Sequence, residues 1–576
     1  MRLAEYKREL ALAALVLAVN LCWLGHVGLF DVDEAIFAEA TREMVESGDW
    51  VTPTYNGKPR YDKPVLIYWL MAPAIKHLGP TPAAARLVSA TGGALMALLL
   101  ALVGRAMFGG GAGLWAALVM ATCLHGFALA RMSITDMTLT TLMAAGWLGL
   151  WAASERGSPG WMAVGAAALG LATLTKGPVA LVLPLASWLL WALLARRLGP
   201  VLRDPRYWAS KLVFLGIVLP WCVLIYQAHG WDFFRDHLGY HNLNRLTNTQ
   251  AGHGGPFFTF ALLVLGGLAP WSGFACAGLA AGVRHALDRA GAWRESAEAR
   301  ALVYLALWLL TVLGLFSLSR TKLPNYIAPL YPAAALLAGW AADRGWGQRA
   351  WCRWLNVAPL ALIGLGLAST GLWVPRLTGL QRELGGGPLE LGSRALVPGV
   401  ALLVAALLGL VAAAREAPVA RRRLAAAGWL AGLALWLGVA PIIYHYQQGT
   451  LRVITHEALE RMKPDDELAT LNIHVPSLAF TAQRRFQRIT VPPKEADPAG
   501  YETNRAPLEA LLQGERTVFL ITQKIRTRGA LDGLPHHVWA DHLGWQLISN
   551  REPPPGYHLP AIPWTERDAR ELGRGR

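Results

Sequence analysis

The sequence predicts a polytopic α-helical membrane protein with a small α/β domain at its C-terminal end, and three observations carry that reading. Of 576 residues, 54% are hydrophobic and 16% charged, against about 25% charged in an average soluble protein. Apolar runs near the ~20 residues needed to cross a hydrocarbon core recur along most of the chain. From about residue 451 the texture changes to polar sequence with short alternating runs.

Thirteen spans are expected, at about 9–29, 83–107, 111–130, 135–153, 160–175, 177–195, 208–227, 257–282, 301–318, 324–342, 354–373, 396–414 and 423–443. They divide the chain into a membrane domain, residues 1–445, and an α/β domain with a loosely ordered tail, residues 446–576. The net charge of +15 does not signal nucleic acid, because the basic residues gather in alternate loops. Arg2, Lys7 and Arg8; Arg196, Arg197, Arg203 and Arg206; Arg284, Arg289, Arg294 and Arg300; Arg344, Arg349 and Arg353; and Arg415, Arg421, Arg422 and Arg423 all fall on one side of such a topology. The positive-inside rule makes that side cytoplasmic. The N-terminus is then cytoplasmic, and the C-terminal domain lies on the far face. The first span has a basic flank like a signal sequence, but its apolar run is long and no small-residue cleavage site follows, so it reads as a retained anchor.

Two far-side loops are sizeable. The first, residues 31–82, is acid-rich and aromatic; residues 34–48 have helical spacing, with Phe37, Ala40 and Met44 on one face and Glu39, Arg42, Glu43 and Glu46 on the other. This predicts a helix lying along the interface, ended by Gly48 and followed by a turn at residues 55–57. Residues 65–75 are apolar but too short to span. The second loop, residues 228–256, carries His237, His241, Arg245 and His253. In the last domain, residues 466–473, 486–491, 517–522 and 545–549 read as strands, and residues 456–462 and 506–512 as helices. All five cysteines lie in or beside predicted spans, and there is no CxxC knuckle or Gly-rich phosphate loop. No disulfide framework, no nucleotide cofactor and no nucleic-acid partner are therefore expected.

The far face collects Asp33, Glu34, Asp62 and Lys63, then Asp136, Lys176, the loop histidines, and Lys322 and Tyr326. Carboxylates facing cations and a tyrosine hydroxyl suit a phosphate, and also a divalent metal, with one acid left for catalysis. Each group has a plainer use: Asp33 and Glu34 as helix-start acids, Lys63, Lys176 and Lys322 as interfacial anchors, Asp136 as turn chemistry. Anchoring alone would place such groups on both faces, whereas these meet on one. A transporter would show repeated halves and ionisable groups at mid-membrane; neither is evident.

Residues 33–69, DEAIFAEATREMVESGDWVTPTYNGKPRYDKPVLIYW, with RMSITD, LTKGPVALVLP, HNLNR, GHGGPFF and SRTKLPNYIAPLYP in that order, resemble the bacterial lipid-to-lipid sugar transferases typified by 4-amino-4-deoxy-L-arabinose lipid A transferase, which are related to protein O-mannosyltransferases. The resemblance implies a GT-C fold in the inner membrane, a sugar donor carried on undecaprenyl phosphate, and lipid A or another periplasmic acceptor. It implies catalytic roles for Asp33 and Asp136, with Glu34 beside them, and donor-phosphate contacts at Lys63, Arg245 and Tyr326, with Lys322 nearby. A divalent metal would fall on Asp62 with His241, and His253 next. Ile36 and Phe37 stand where relatives carry Arg-Tyr, and Val65 replaces the second proline of their KPP; these departures are expected to bear on which sugar is moved. The same donor chemistry with a protein or other glycan acceptor is the alternative.

Overall fold

A computed structural model describes residues 3–243, 254–379, 391–413, 417–494, 496–527, 529–565 and 568. Each of the thirteen predicted spans contains a helical stretch, although the first is helical only as far as Leu21; a chain in hydrocarbon must satisfy its backbone groups internally. Their lengths differ more than the hydropathy suggests. Among the described residues six helices are long and apolar enough to cross a membrane, or seven if Thr259–Gly267 and Ser272–Ala286, bent by 120°, count as one. The bend falls at Ala269–Pro270, where proline supplies no N–H. Others are short because the chain breaks: Gly110–Thr122 stops at Cys123, and Pro324–Leu330 is a 3-10 segment leading into Tyr331–Asp343. Gly104 and Gly113 bring two neighbouring helices together so closely that a Cβ on Gly104 would lie 2.7 Å from the Gly113 Cα, the small-residue contact on which membrane helices rely.

The first loop is more deeply embedded than an interfacial helix. Asp33–Ser47 is helical and ends at Gly48, whose φ of +72° suits glycine. Its apolar face is buried as predicted, but Glu39, Arg42 and Glu43 are buried too, so the expectation of a wet face is corrected. Arg42 bridges Glu39 and Glu46. Glu43 accepts from Thr54 Oγ1 at 2.7 Å and from the backbone N–H groups of Asn56 (2.6 Å) and Gly57 (3.1 Å). It thereby closes a small hairpin of β1, Thr54–Tyr55, and β2, Lys58–Pro59, whose Asn-Gly turn has both φ angles positive. Leu66–Leu78 follows as the short apolar helix.

The last membrane helix does not stop where the hydropathy does. It runs from Arg421 to Arg461, 41 residues, or roughly 60 Å at ~1.5 Å per residue, about twice the hydrocarbon thickness. The expected boundary at residue 445 thus falls inside a continuous helix, whose last part, Thr450–Arg461, packs on the terminal sheet through Leu451, Ile454 and Ala458. That sheet contains β3, Glu467–Leu471, β4, Gln487–Ile489, β5, Val518–Gln523, β6, His537–His542, and β7, Trp545–Ser549, in the order β4-β3-β5-β7-β6. β3 pairs in parallel with β4 and β5, and β7 is antiparallel to β5 and β6. β6 was not expected, because HVWADH at the sheet edge lacks a clean apolar alternation.

Three contacts seat this domain on the first loop. Ile36 and Tyr55 lie in its apolar core. The Asn56 amide accepts from Phe486 N at 3.0 Å and donates to Phe486 O at 2.8 Å. Asp31 accepts from Ser477 N at 2.8 Å and from Ser477 Oγ. Within the described part of the tail, Trp564 stacks on His445 at 3.6 Å, with the Arg394 guanidinium 3.9 Å above the Trp564 ring. Trp564→Ala should loosen the tail by ~1–2 kcal/mol, read as faster proteolytic cleavage after residue 553 with the membrane domain intact.

Candidate functional site

Glu34 and Asp33 are adjacent in sequence but differ completely in setting. Glu34 is 1% exposed. It accepts from Arg86 Nε at 2.9 Å and Nη2 at 2.7 Å, from Phe30 N at 3.0 Å and from Ser133 N at 2.5 Å. Arg86, fully buried, spends its remaining N–H groups on the carbonyls of Leu24, Val27 and Gly28. With its carboxylate saturated by scaffold contacts, Glu34 is a structural anchor, which corrects its expected place among the catalytic acids.

Asp33, at the start of the same helix, is exposed to a cavity of about 930 Å³. Apolar side chains such as Leu124, Leu129, Phe258, Leu262 and Ile363 line most of it, and Asp31, Asp33, His125 and Asn325 give it polar points. Arg60 and Lys176 both lie within electrostatic reach of Asp33.

Asp136 opens the Thr135–Arg156 helix and is 2% exposed. Lys176 Nζ donates to its Oδ1 at 2.6 Å, and Asn325 Nδ2 to its Oδ2 at 3.0 Å. The Lys176 ammonium is also 5.6 Å from the centre of the Tyr326 ring. Helix starts and ends from three distant parts of the chain therefore meet beside Asp33. Asn325 was not singled out from the sequence, where a lone asparagine in a Pro-rich turn carries no signal.

A second group lies on the first loop. Asp62 is held by Lys63 at 2.6 Å through Oδ1 and by Arg60 at 2.7 Å through Oδ2, and Arg60 rests over the Phe37 ring at 5.1 Å. His237 Nδ1 is 3.2 Å from the Asp62 carbonyl, and its other nitrogen covers Gly177, where a Cβ would come within 2.4 Å. Burial, with the Lys63 ammonium adding to it, pulls the His237 imidazole down to about 4, so it is neutral at physiological pH. Both Asp62 oxygens face cations, and among the described residues no group of three His, Cys, Asp or Glu side chains could hold an ion.

Of the remaining expected residues, Arg245 and His253 lie outside the described residues, and His241 falls in the π-helical segment Arg235–Leu243. Lys322 is corrected: its ammonium donates to the carbonyls of Phe316 (3.2 Å), Ser317 (2.7 Å) and Ser319 (2.6 Å), capping the Ala297–Leu318 helix at the end where a cation is favoured. Ile36, Phe37 and Val65 are buried core residues and are not among the described residues that line the cavity.

With this geometry in place, the chain can be set beside known proteins. The model of the dolichyl-phosphate-mannose-protein mannosyltransferase family matches residues 10–234. The undecaprenyl phosphate-alpha-4-amino-4-deoxy-L-arabinose arabinosyl transferase of Edwardsiella ictaluri is 30% identical over 350 residues, 59% of this chain and 60% of that protein. Its counterpart from Pseudomonas aeruginosa strain UCBPP-PA14 is 33% identical over 328 residues, 55% and 56% of the two chains. The chain thus spans less than two thirds of the length of these relatives. The crystal structure of ArnT from Cupriavidus metallidurans bound to undecaprenyl phosphate superposes with a TM-score of 0.74 at 22% identity, covering 96% of this chain and 99% of that one. The apo state of the same protein gives 0.72. The fold is that of ArnT, a GT-C fold, and the resemblance read from the sequence motifs is borne out.

Proposed function

We propose that the chain is a bacterial inner-membrane glycosyltransferase that moves an amino sugar such as 4-amino-4-deoxy-L-arabinose from undecaprenyl phosphate to a phosphate of lipid A. The names of the sequence relatives and the likeness to ArnT support this. In this reading thirteen helices cross the membrane, the N-terminus is cytoplasmic and the sheet domain is periplasmic. The observation that carries it is the pairing of a largely apolar cavity with a polar end: Asp33 opens onto an apolar chamber, and Arg60 and Lys176 lie within electrostatic reach of it. A lipid-linked sugar phosphate needs both.

Outside the cytoplasm no nucleotide sugar is supplied, so the sugar arrives on a lipid and its leaving group is a phosphate. Lys63, Lys176 and Arg60 would stabilise the charge developing on that phosphate as the anomeric C–O bond breaks; Arg245 and Tyr326 complete the proposed phosphate set. An oxygen of the lipid A phosphate attacks from the opposite face, giving inversion. It is already anionic and needs no strong base, so Asp33 orients the reacting centre and stabilises its positive charge, while Asp136 holds Lys176 in place. No step is routed through a metal, and EDTA treatment is expected to leave donor binding unchanged.

The test is mass spectrometry of lipid A from cells with and without the protein: an added amino-sugar mass is expected only with it. An unchanged profile would overturn lipid A as acceptor and favour a protein or other glycan. Separately, Lys63→Ala should weaken binding of undecaprenyl phosphate to the purified protein by about 10-fold or more, the scale of one charge-assisted contact; undiminished binding would remove Lys63 from the phosphate set.

A further inference from the structure

We propose that Asp31, oriented by Ser477 of the C-terminal domain, is the carboxylate that binds the ammonium group of the transferred amino sugar. This rests on the transferase reading above and adds a residue and a charge to it. The described lining of the 930 Å³ cavity contains three carboxylates, Asp31, Asp33 and Glu34, and neither a lysine nor an arginine. Such a lining attracts a cation, while the phosphate cations lie outside it.

The three acids are differently committed. Glu34 is neutralised by the bidentate Arg86 contact. Asp33 feels Arg60 and Lys176. Asp31 has hydrogen bonds from Ser477 N and Oγ, and among the described residues no cation pairs with it. An ionised carboxylate offers about four lone-pair sites; Ser477 N and Oγ take two and the Gln448 side chain a third, which fixes its orientation and leaves one for an ammonium N–H. Burial lifts Asp31 to about 6; it still carries its charge at neutral pH, where a bound cation would compensate the desolvation.

The layout also separates the two charges of the donor. Arg60, Lys63 and Lys176 are engaged with Asp62 and Asp136, whereas Asp31 is engaged with Ser477 of the C-terminal domain. Two residues of backbone, at most ~7 Å, separate Asp31 from Asp33, a distance on the scale of one monosaccharide ring. The phosphate would bind at one end and the amine at the other, with the anomeric carbon near Asp33. His125, Thr259 and Asn325 line the same chamber as neutral partners for ring hydroxyls.

The experiment compares two undecaprenyl phosphate donors that differ only in charge: the 4-amino sugar and its N-formyl derivative. kcat/KM is measured for both with the full-length protein, with Asp31→Asn and with Ser477→Ala. The ratio of the two values within one preparation cancels the active fraction, so a poorly folded variant still gives an answer. Wild type is expected to favour the amine by roughly 10- to 100-fold, the worth of one charged hydrogen bond. Asp31→Asn should bring the ratio close to one, with the loss concentrated in KM for the amino donor, and Ser477→Ala should lower the ratio part of the way. A ratio that stays at the wild-type value in Asp31→Asn, with both donors slowed alike, would make Asp31 purely structural and overturn the proposal. So would a wild type that does not discriminate or prefers the neutral donor, an outcome that leaves the transferase intact. Turnover of neither donor would overturn the transferase reading and this assignment with it.

Discussion

Arg86→Met should destabilise the membrane domain by about 3–5 kcal/mol, because it leaves the Glu34 carboxylate buried without its counter-ion. The pair is enclosed, at 0% and 1% side-chain exposure, so water cannot take over. The same substitution strands the carbonyls of Leu24, Val27 and Gly28, which accept from the guanidinium, and buried acceptors without donors add to the cost. The consequence is local as well as global: residues 24–34 are held in place from the Pro82–Phe108 helix by this one side chain, and Asp31 and Asp33 belong to that segment. Glu34→Gln should be milder, since an amide keeps an acceptor for Ser133 N and Arg86. The double variant Glu34→Gln with Arg86→Met should recover part of the single Arg86 loss. Thermal unfolding of detergent-solubilised protein, followed by loss of monodisperse material, measures all three. If Arg86→Met melts within a degree of wild type, the pair is not the anchor described here.

How much of this was legible in the sequence depends on the range of the interaction. Local features were legible: the Gly48 stop, the Asn56-Gly57 turn and the short helix from Leu66 follow from backbone preferences and apolar length within a few residues. The helical nature of each apolar run also followed, since the bilayer leaves no alternative. Partnerships did not. Glu34 and Arg86 are 52 residues apart, Asp136 and Lys176 are 40, and Asp136 and Asn325 are 189, and no single-sequence pattern links them. Asp33 and Glu34 illustrate the limit: as a pair they marked the site correctly, but ~100° of rotation between successive helical residues sends one side chain to the cavity and the other to the scaffold. Lys322 failed in the same way, because a lysine four residues beyond a helix reads as a surface cation until it is seen folding back over the last carbonyls. At Trp564 the signal was composition, since a polar, Pro-rich tail hides one aromatic anchor.

Asp33→Asn should reduce sugar transfer by roughly 10³-fold, about 4 kcal/mol of barrier, with little change in donor affinity. Asparagine keeps the shape and removes the charge, so helix entry and the cavity wall are preserved. What is lost is the anionic group facing the anomeric carbon, whose transition state carries oxocarbenium-like positive charge, beside a largely apolar cavity wall where a fixed charge is worth more than in bulk water. The phosphate cations are held by Asp62 and Asp136, so binding of undecaprenyl phosphate should survive; removing a nearby negative charge would if anything tighten it. The pH dependence separates two roles. With a phosphate acceptor the loss should be the same across the pH range, because no proton is abstracted. With a hydroxyl acceptor Asp33 would be the general base, and the acidic limb of the wild-type rate profile would vanish in the variant. A variant that transfers sugar at near wild-type rate would move the reacting centre away from Asp33, to the carboxylate of Asp136 and its Lys176 partner.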